Sequence, residues 1–121
     1  AVVGPEAITG STRMKAGSAQ KMILNLISTC TMVKLGKVYE NLMVDLKPTN
    51  VKLRERAVSI ICTVCDVQRP IAEGALVASN NRVKTAILMI NRKMGRAQAE
   101  ELLTSSKNSL RGALNHVNTP G

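Results

Sequence analysis

The sequence predicts a mainly α chain: one short strand and one long helix, followed by a small helical bundle. Three observations lead there. Apolar residues recur at helical spacing over most of the 121 positions. Phe and Trp are absent and Tyr occurs once, so the core must be built from Leu, Ile, Val, Met and Ala, a composition that suits packed helices better than strands. Pro, Gly and Asn pairs then cut the later pattern into pieces of about one helix each. The length allows one ordinary domain, or a small domain plus part of another.

The elements follow in order. Ala1-Val2-Val3 runs straight into Gly4-Pro5-Glu6, as a buried strand leaving a sheet would, but no partner strands are visible in the sequence. Ser11 and Thr12 are good N-caps, and Ala19, Met22, Ile23, Leu26, Cys30 and Val33 then repeat until Gly36, predicting a helix over 12–35. Leu24, Ile27 and Met32 widen its apolar stripe, which predicts cover on several sides by a sheet, another helix or a second subunit. The segment 38–49 reads as an irregular connector ending in Pro48-Thr49-Asn50, the last supplying an N-cap.

A helix over 50–65 follows, carried by Leu53, Ala57, Ile60, Ile61 and Val64. Pro70 opens the next helix, which Asn80-Asn81 closes, and Gly74 within it is read as allowing close approach to a neighbour. Val83, Ala86, Ile87 and Ile90 form another with Gly95 as its stop, and a last one begins near 97 and resumes at Leu110 after a Ser-rich break. Each is too short to be stable alone, so they should pack together over 50–121, with the tail from Asn115 frayed.

The formal charge is +9, from 17 Lys and Arg against 8 Asp and Glu, which makes an anionic partner reasonable. The excess is split along the chain, and no basic stretch is interleaved with aromatics, so the stacking platform of a single-strand binder is missing. No nucleic-acid partner is expected. Lys or Arg interrupts every apolar run, so no membrane span is expected either. Three cysteines and no secretory signal point to free thiols in a reducing compartment, with the cytoplasm as the expected location. Cys62 and Cys65 have metal or redox spacing, but no second pair accompanies them and the one histidine is His116. They read as small core residues one helical turn apart.

The most informative stretch is 4–17, GPEAITGSTRMKAG, which places two glycines, hydroxyls, an Arg and a Lys at a helix start. Helix N-termini offer free amides and partial positive charge, and Ser11, Thr12, Arg13 and Lys15 add the donors that a phosphate or sugar needs. An ordinary capped helix with solvated charges would look the same. Glu6 would repel a phosphate unless it faced another part of the ligand. It reads either as a general base or hydroxyl acceptor, or as the salt partner of Arg13, with the ion pair favoured.

GPEAITGSTRMKAGSAQKMILNLIST followed by MVKLGKVYENLMVDLKPTNVKLRERAV closely resembles the N-acetylmuramic acid 6-phosphate etherase family. The helix-start motif is shared more loosely with the glucokinase regulatory protein. The resemblance implies that 1–37 is the closing strand and helix of an α/β sugar-isomerase-type (SIS) domain, 38–49 a connector, and 50–121 a module similar to a ubiquitin-associated (UBA) domain. It further implies a cytoplasmic, homodimeric lyase that releases D-lactate from N-acetylmuramic acid 6-phosphate, with no metal or organic cofactor. The acid and base carboxylates would lie upstream, so no catalytic residue is assigned here. Glu6, Ser11, Thr12, Arg13 and Lys15 would line the sugar-phosphate site. Glu40, Cys30 and Lys107-Asn108-Ser109 stand where that family tends to have glycine or a glycine-rich turn. Other classes remain: a non-catalytic sugar-phosphate sensor that binds a protein partner, and a basic helical nucleic-acid binder, which a steep salt dependence of DNA affinity would reveal.

Overall fold

The computed structural model describes residues 1–115; the tail reading beyond Asn115, with His116, lies outside them. The chain is mainly helical and divides into two units, Ala1–Lys34 and a second beginning at Leu35.

In the first unit the helix α1 spans Lys15–Lys34. It starts later than its Ser11 and Thr12 hydroxyls predict, because the cap comes from elsewhere, as shown below. None of its residues is buried: Met22 is 65% exposed and Ile27 60%, so the apolar faces that the sequence expects to be covered are bare. The expected strand at 1–3 does not form. A strand needs a ladder partner, and the two strands among the described residues pair with each other.

The second unit opens with a hairpin, β1 at Val38–Tyr39 antiparallel to β2 at Leu42–Met43, in the segment read as an irregular connector. Two strands of two residues each are below what sequence periodicity can register. Glu40 opens its two-residue loop at φ 50, a left-handed position that favours glycine. The hairpin belongs to the core through Val44, which is 1% exposed and whose amide donates to Lys37 O at 3.0 Å.

Five helices follow: α2 at Val51–Cys65, α3 at Arg69–Ala78, α4 at Val83–Arg92, α5 at Arg96–Ser105 and α6 at Leu110–Asn115. The Asn50 side chain caps α2, accepting from Leu53 N at 2.8 Å. Pro70 lies in the first turn of α3, where its missing N–H costs nothing. Ser79 is fully buried at the α3 exit; its hydroxyl donates to Leu76 O at 2.9 Å and accepts from Arg82 N at 3.2 Å. Asn80 and Asn81 turn the chain at φ 57 and 60, a conformation that Asn tolerates better than most residues.

The end of α4 corrects the reading of Gly95. Lys93 takes the left-handed position at φ 50, and Gly95 is instead the N-cap of α5, its amide donating to Gln98 Oε1 at 3.2 Å.

Helix α4 is the hub, packing against α2, α3, α5 and α6. Its buried run Val83, Lys84, Thr85, Ala86, Ile87 and Leu88 covers more than one face, as a helix surrounded by neighbours requires. Ala57, Ile61, Ala72, Leu76, Ala99 and Leu110 close around it. Outside this core, the Arg69 guanidinium ties α2 to α3 with bonds of 2.7 Å to Glu55 and 2.7 Å to Glu73. No helix among the described residues is long and apolar enough to cross a membrane.

Gly74 does not serve close packing. It is exposed in mid-α3, and a Cβ there would meet nothing within 4 Å. Gly74→Ala is therefore expected to stabilise the second unit by about 0.5–1 kcal/mol by removing the entropy cost of helical glycine. A rise in thermal midpoint would show it, and a fall would mean that α3 has a neighbour at this position.

Candidate functional site

The helix-start motif folds around Glu6. Its carboxylate reaches forward to the N-terminus of α1, Oε2 accepting from Lys15 N at 3.0 Å and Oε1 from Ala16 N at 3.0 Å. The side chain thus satisfies two of the four amides that a helix start leaves unpaired, and it sits at the positive end of the helix dipole. Around it the loop closes on itself: Ser11 N donates to Ile8 O at 3.1 Å, Arg13 N to Ser11 O at 3.2 Å and Ser18 N to Met14 O at 3.0 Å. The glycines Gly4 and Gly10 hold φ 80 and 81, which lets the loop turn back between Glu6 and the helix.

Glu6 therefore takes a role that the sequence reading did not contain. No ion pair joins it to Arg13 among the described residues. The amides of Ala16 and Lys15 hold its carboxyl below the ordinary 4.5; desolvation opposes them, and the amides of Met14 and Arg13 add smaller lowering contributions. Both of its oxygens are engaged by backbone amides at the start of α1, so the geometry makes it the organiser of the loop. The missed signal was distance: nine residues separate Glu6 from the amide of Lys15, beyond the three-residue reach of an ordinary capping box.

A group whose folded pKa is depressed adds stability above its unfolded value and loses it as pH falls through the folded one. The cap is accordingly complete at neutral pH and is lost on acidification below the ordinary 4.5. In an acid titration followed by NMR, the Lys15 and Ala16 amide protons should move upfield together with a midpoint below that value, and Glu6→Gln should abolish the transition. A midpoint above 4.5 would contradict the cap.

The structure gathers some of the predicted residues and not others. Glu6, Ser11 and Arg13 line one concavity of about 250 Å³ together with Ile8 and Met14. Thr12 and Lys15 are not part of that lining; both are exposed beside it, and Lys15 Nζ lies near Gly4. Because the Glu6 carboxylate occupies the Lys15 and Ala16 amides, an incoming anion would meet side-chain donors here: the Arg13 guanidinium, the Lys15 ammonium and the Ser11 and Thr12 hydroxyls.

In the second unit Cys62 and Cys65 are free, half-buried thiols packed against the core. Burial pushes the Cys65 thiol up to about 11, against a lowering bond from Asn91 and with Cys62 adding to the rise, so it carries almost no thiolate at neutral pH. Asn91 Nδ2 donates to its sulfur at 3.4 Å. Among the described residues no cluster of three or more His, Cys, Asp or Glu could hold a metal ion.

Comparison with known proteins gives a consistent result. The chain is 58% identical to N-acetylmuramic acid 6-phosphate etherase 1 of Bacillus licheniformis over 113 residues, 93% of this chain and 37% of that protein. It is 50% identical to the N-acetylmuramic acid 6-phosphate etherase of Klebsiella aerogenes over 116 residues, 96% of this chain and 39% of that one. The etherase of Bacillus subtilis is 52% identical over 115 residues, 95% of the chain and 38% of the relative. The chain thus spans less than two-fifths of the length of these relatives. No protein-family model matches it.

Proposed function

Because this chain matches the C-terminal portion of the N-acetylmuramic acid 6-phosphate etherases, we propose that it is that part of a carbon–oxygen lyase acting on the lactyl ether of N-acetylmuramic acid 6-phosphate. The products would be N-acetylglucosamine 6-phosphate and D-lactate, in the recycling of cell-wall amino sugars. Identity of 50–58% over more than nine-tenths of the chain is the observation that carries this reading.

Within that enzyme the first unit supplies one wall of the phosphosugar site. Arg13, Lys15, Ser11 and Thr12 offer side-chain donors, and Glu6 holds the loop that presents them by capping α1. Proton abstraction beside the sugar aldehyde, elimination of lactate and addition of water require an acid and a base, which fall to carboxylates in the longer protein's preceding part. The first unit completes an SIS-type domain, the second is a UBA-like module, and the enzyme works as a cytoplasmic homodimer without nucleic acid or membrane partners. The bare apolar faces of α1 support an assembly in which further protein covers them.

Lactate release from N-acetylmuramic acid 6-phosphate tests the reading, with the gene's full-length product compared against these 121 residues. Activity in the long form alone is the expected result; activity in neither would favour a sugar-phosphate-sensing regulator. Arg13→Met in the long form should raise KM about tenfold to a hundredfold, the loss of a hydrogen bond between charged partners. An unchanged KM would remove Arg13 from the site.

A further inference from the structure

The second unit holds a cavity of about 250 Å³ that the proposed lyase chemistry does not use. Three segments wall it: residues 44–47 after the hairpin, residues 81–85 at the start of α4, and Asn108 in the loop before α6. Pockets for drug-sized ligands run from roughly 300 to 1,000 Å³, so this one suits a small ion or a compact polar molecule.

Its charge favours an anion. Lys47, Arg82 and Lys84 line it against one carboxylate, Asp45. That carboxylate is already committed, at 3.1 Å from Lys84 and 3.5 Å from Lys37. Arg82 meets Glu100 only at 3.6 Å with its side chain 62% exposed, which leaves most of its donors open. Helix α4 also begins here without a side-chain cap, so its first amides lack an acceptor.

Thr85 adds an independent sign. The residue is 1% exposed and lines the cavity; its hydroxyl makes no hydrogen bond within the described residues, and its oxygen is not sealed from solvent as Ser106 Oγ is. A hydroxyl that is uncommitted within the protein and open to a cationic cavity is free to donate to an acceptor that comes from outside.

We infer that this cavity binds a phosphate group, as inorganic phosphate or a small phosphomonoester, through Lys47, Arg82, the first amides of α4 and the Thr85 hydroxyl. A tetrahedral dianion supplies several acceptor oxygens, enough for two cations and the converging N–H and O–H groups at once.

The test is an NMR titration of the ¹⁵N-labelled chain with sodium phosphate, glucose 6-phosphate, and sodium chloride at matched ionic strength. The Val83, Lys84 and Thr85 amides should shift saturably with at least one phosphate compound and not with chloride. Tighter binding of glucose 6-phosphate would identify a phosphomonoester, and tighter binding of inorganic phosphate the free ion. The double variant Lys47→Gln/Arg82→Gln alters two exposed side chains and should keep the helical circular dichroism while weakening binding at least about tenfold. Thr85→Val, nearly isosteric, should weaken it by a smaller factor. Equal shifts with chloride, or saturation of the folded double variant at the wild-type concentration, would overturn the assignment.

Discussion

Replacing Lys84 by methionine is expected to destabilise the second unit by about 2–4 kcal/mol, below the range for a fully buried charged pair because the Asp45 side chain is 30% exposed and keeps Lys37 at 3.5 Å. Lys84 is 5% exposed. Its ammonium reaches Asp45 Oδ1 at 3.1 Å, Asn108 O at 3.1 Å and Gly36 O at 3.3 Å, so each of its three donors has an acceptor. Methionine fills the same volume but leaves the carboxylate and both carbonyls without it. Thermal unfolding would fall by at least ~8 °C for a unit of this size.

Two variants separate the network from simple packing. Asp45→Asn combined with Lys84→Met removes the half-buried carboxylate charge that has lost its shorter ion pair and keeps only Lys37 at 3.5 Å, so the double should be more stable than Lys84→Met alone by more than the coupling error of roughly 0.5 kcal/mol. Gly36 sits at φ 67, and a Cβ there would meet Asn108 O at 2.8 Å and Ser109 Cα at 3.1 Å. Gly36→Ala should therefore also destabilise by forcing apart the two carbonyls that Lys84 joins. A Lys84→Met unit as stable as wild type would mean that the network contributes no net stability.

Ile87→Ala is the second large effect, about 2–5 kcal/mol, because Ile87 is 0% exposed in the central helix and its neighbours cannot collapse far into the space. Denaturant titration of the second unit reads the loss as a lower midpoint at unchanged slope. The same truncation at Ile23, 43% exposed on α1, should change the stability of the isolated chain by no more than about 0.5 kcal/mol. A large loss at Ile23 would show that α1 is covered when the chain self-associates. Light scattering would detect that association directly.

The helices were legible because their signals are local. Asn50 before Val51, Pro70 in a first turn and Asn80-Asn81 at an exit act within four residues of the backbone they organise, so spacing alone places them. The hairpin at 38–43 escaped because two residues per strand carry no alternation. Gly95 and Lys93 exchanged expected roles because left-handed geometry depends on where the chain must go next, and glycine is only the cheapest residue for it. Of the candidate site, the donors at 11–15 stood out by type, whereas the part played by Glu6 did not.

The sequence by itself determined the mainly helical character, the helix positions and the likeness to the C-terminal portion of the etherases, since periodicity, caps and identity are properties of neighbouring residues. Tertiary structure alone decided that α4 is the hub, that Lys84 is buried with its charge satisfied, and that a carboxylate nine residues away caps α1. Those outcomes depend on which distant groups meet. Lys84 and Gly36 lie 48 positions apart, and no local pattern records that one will donate to the other.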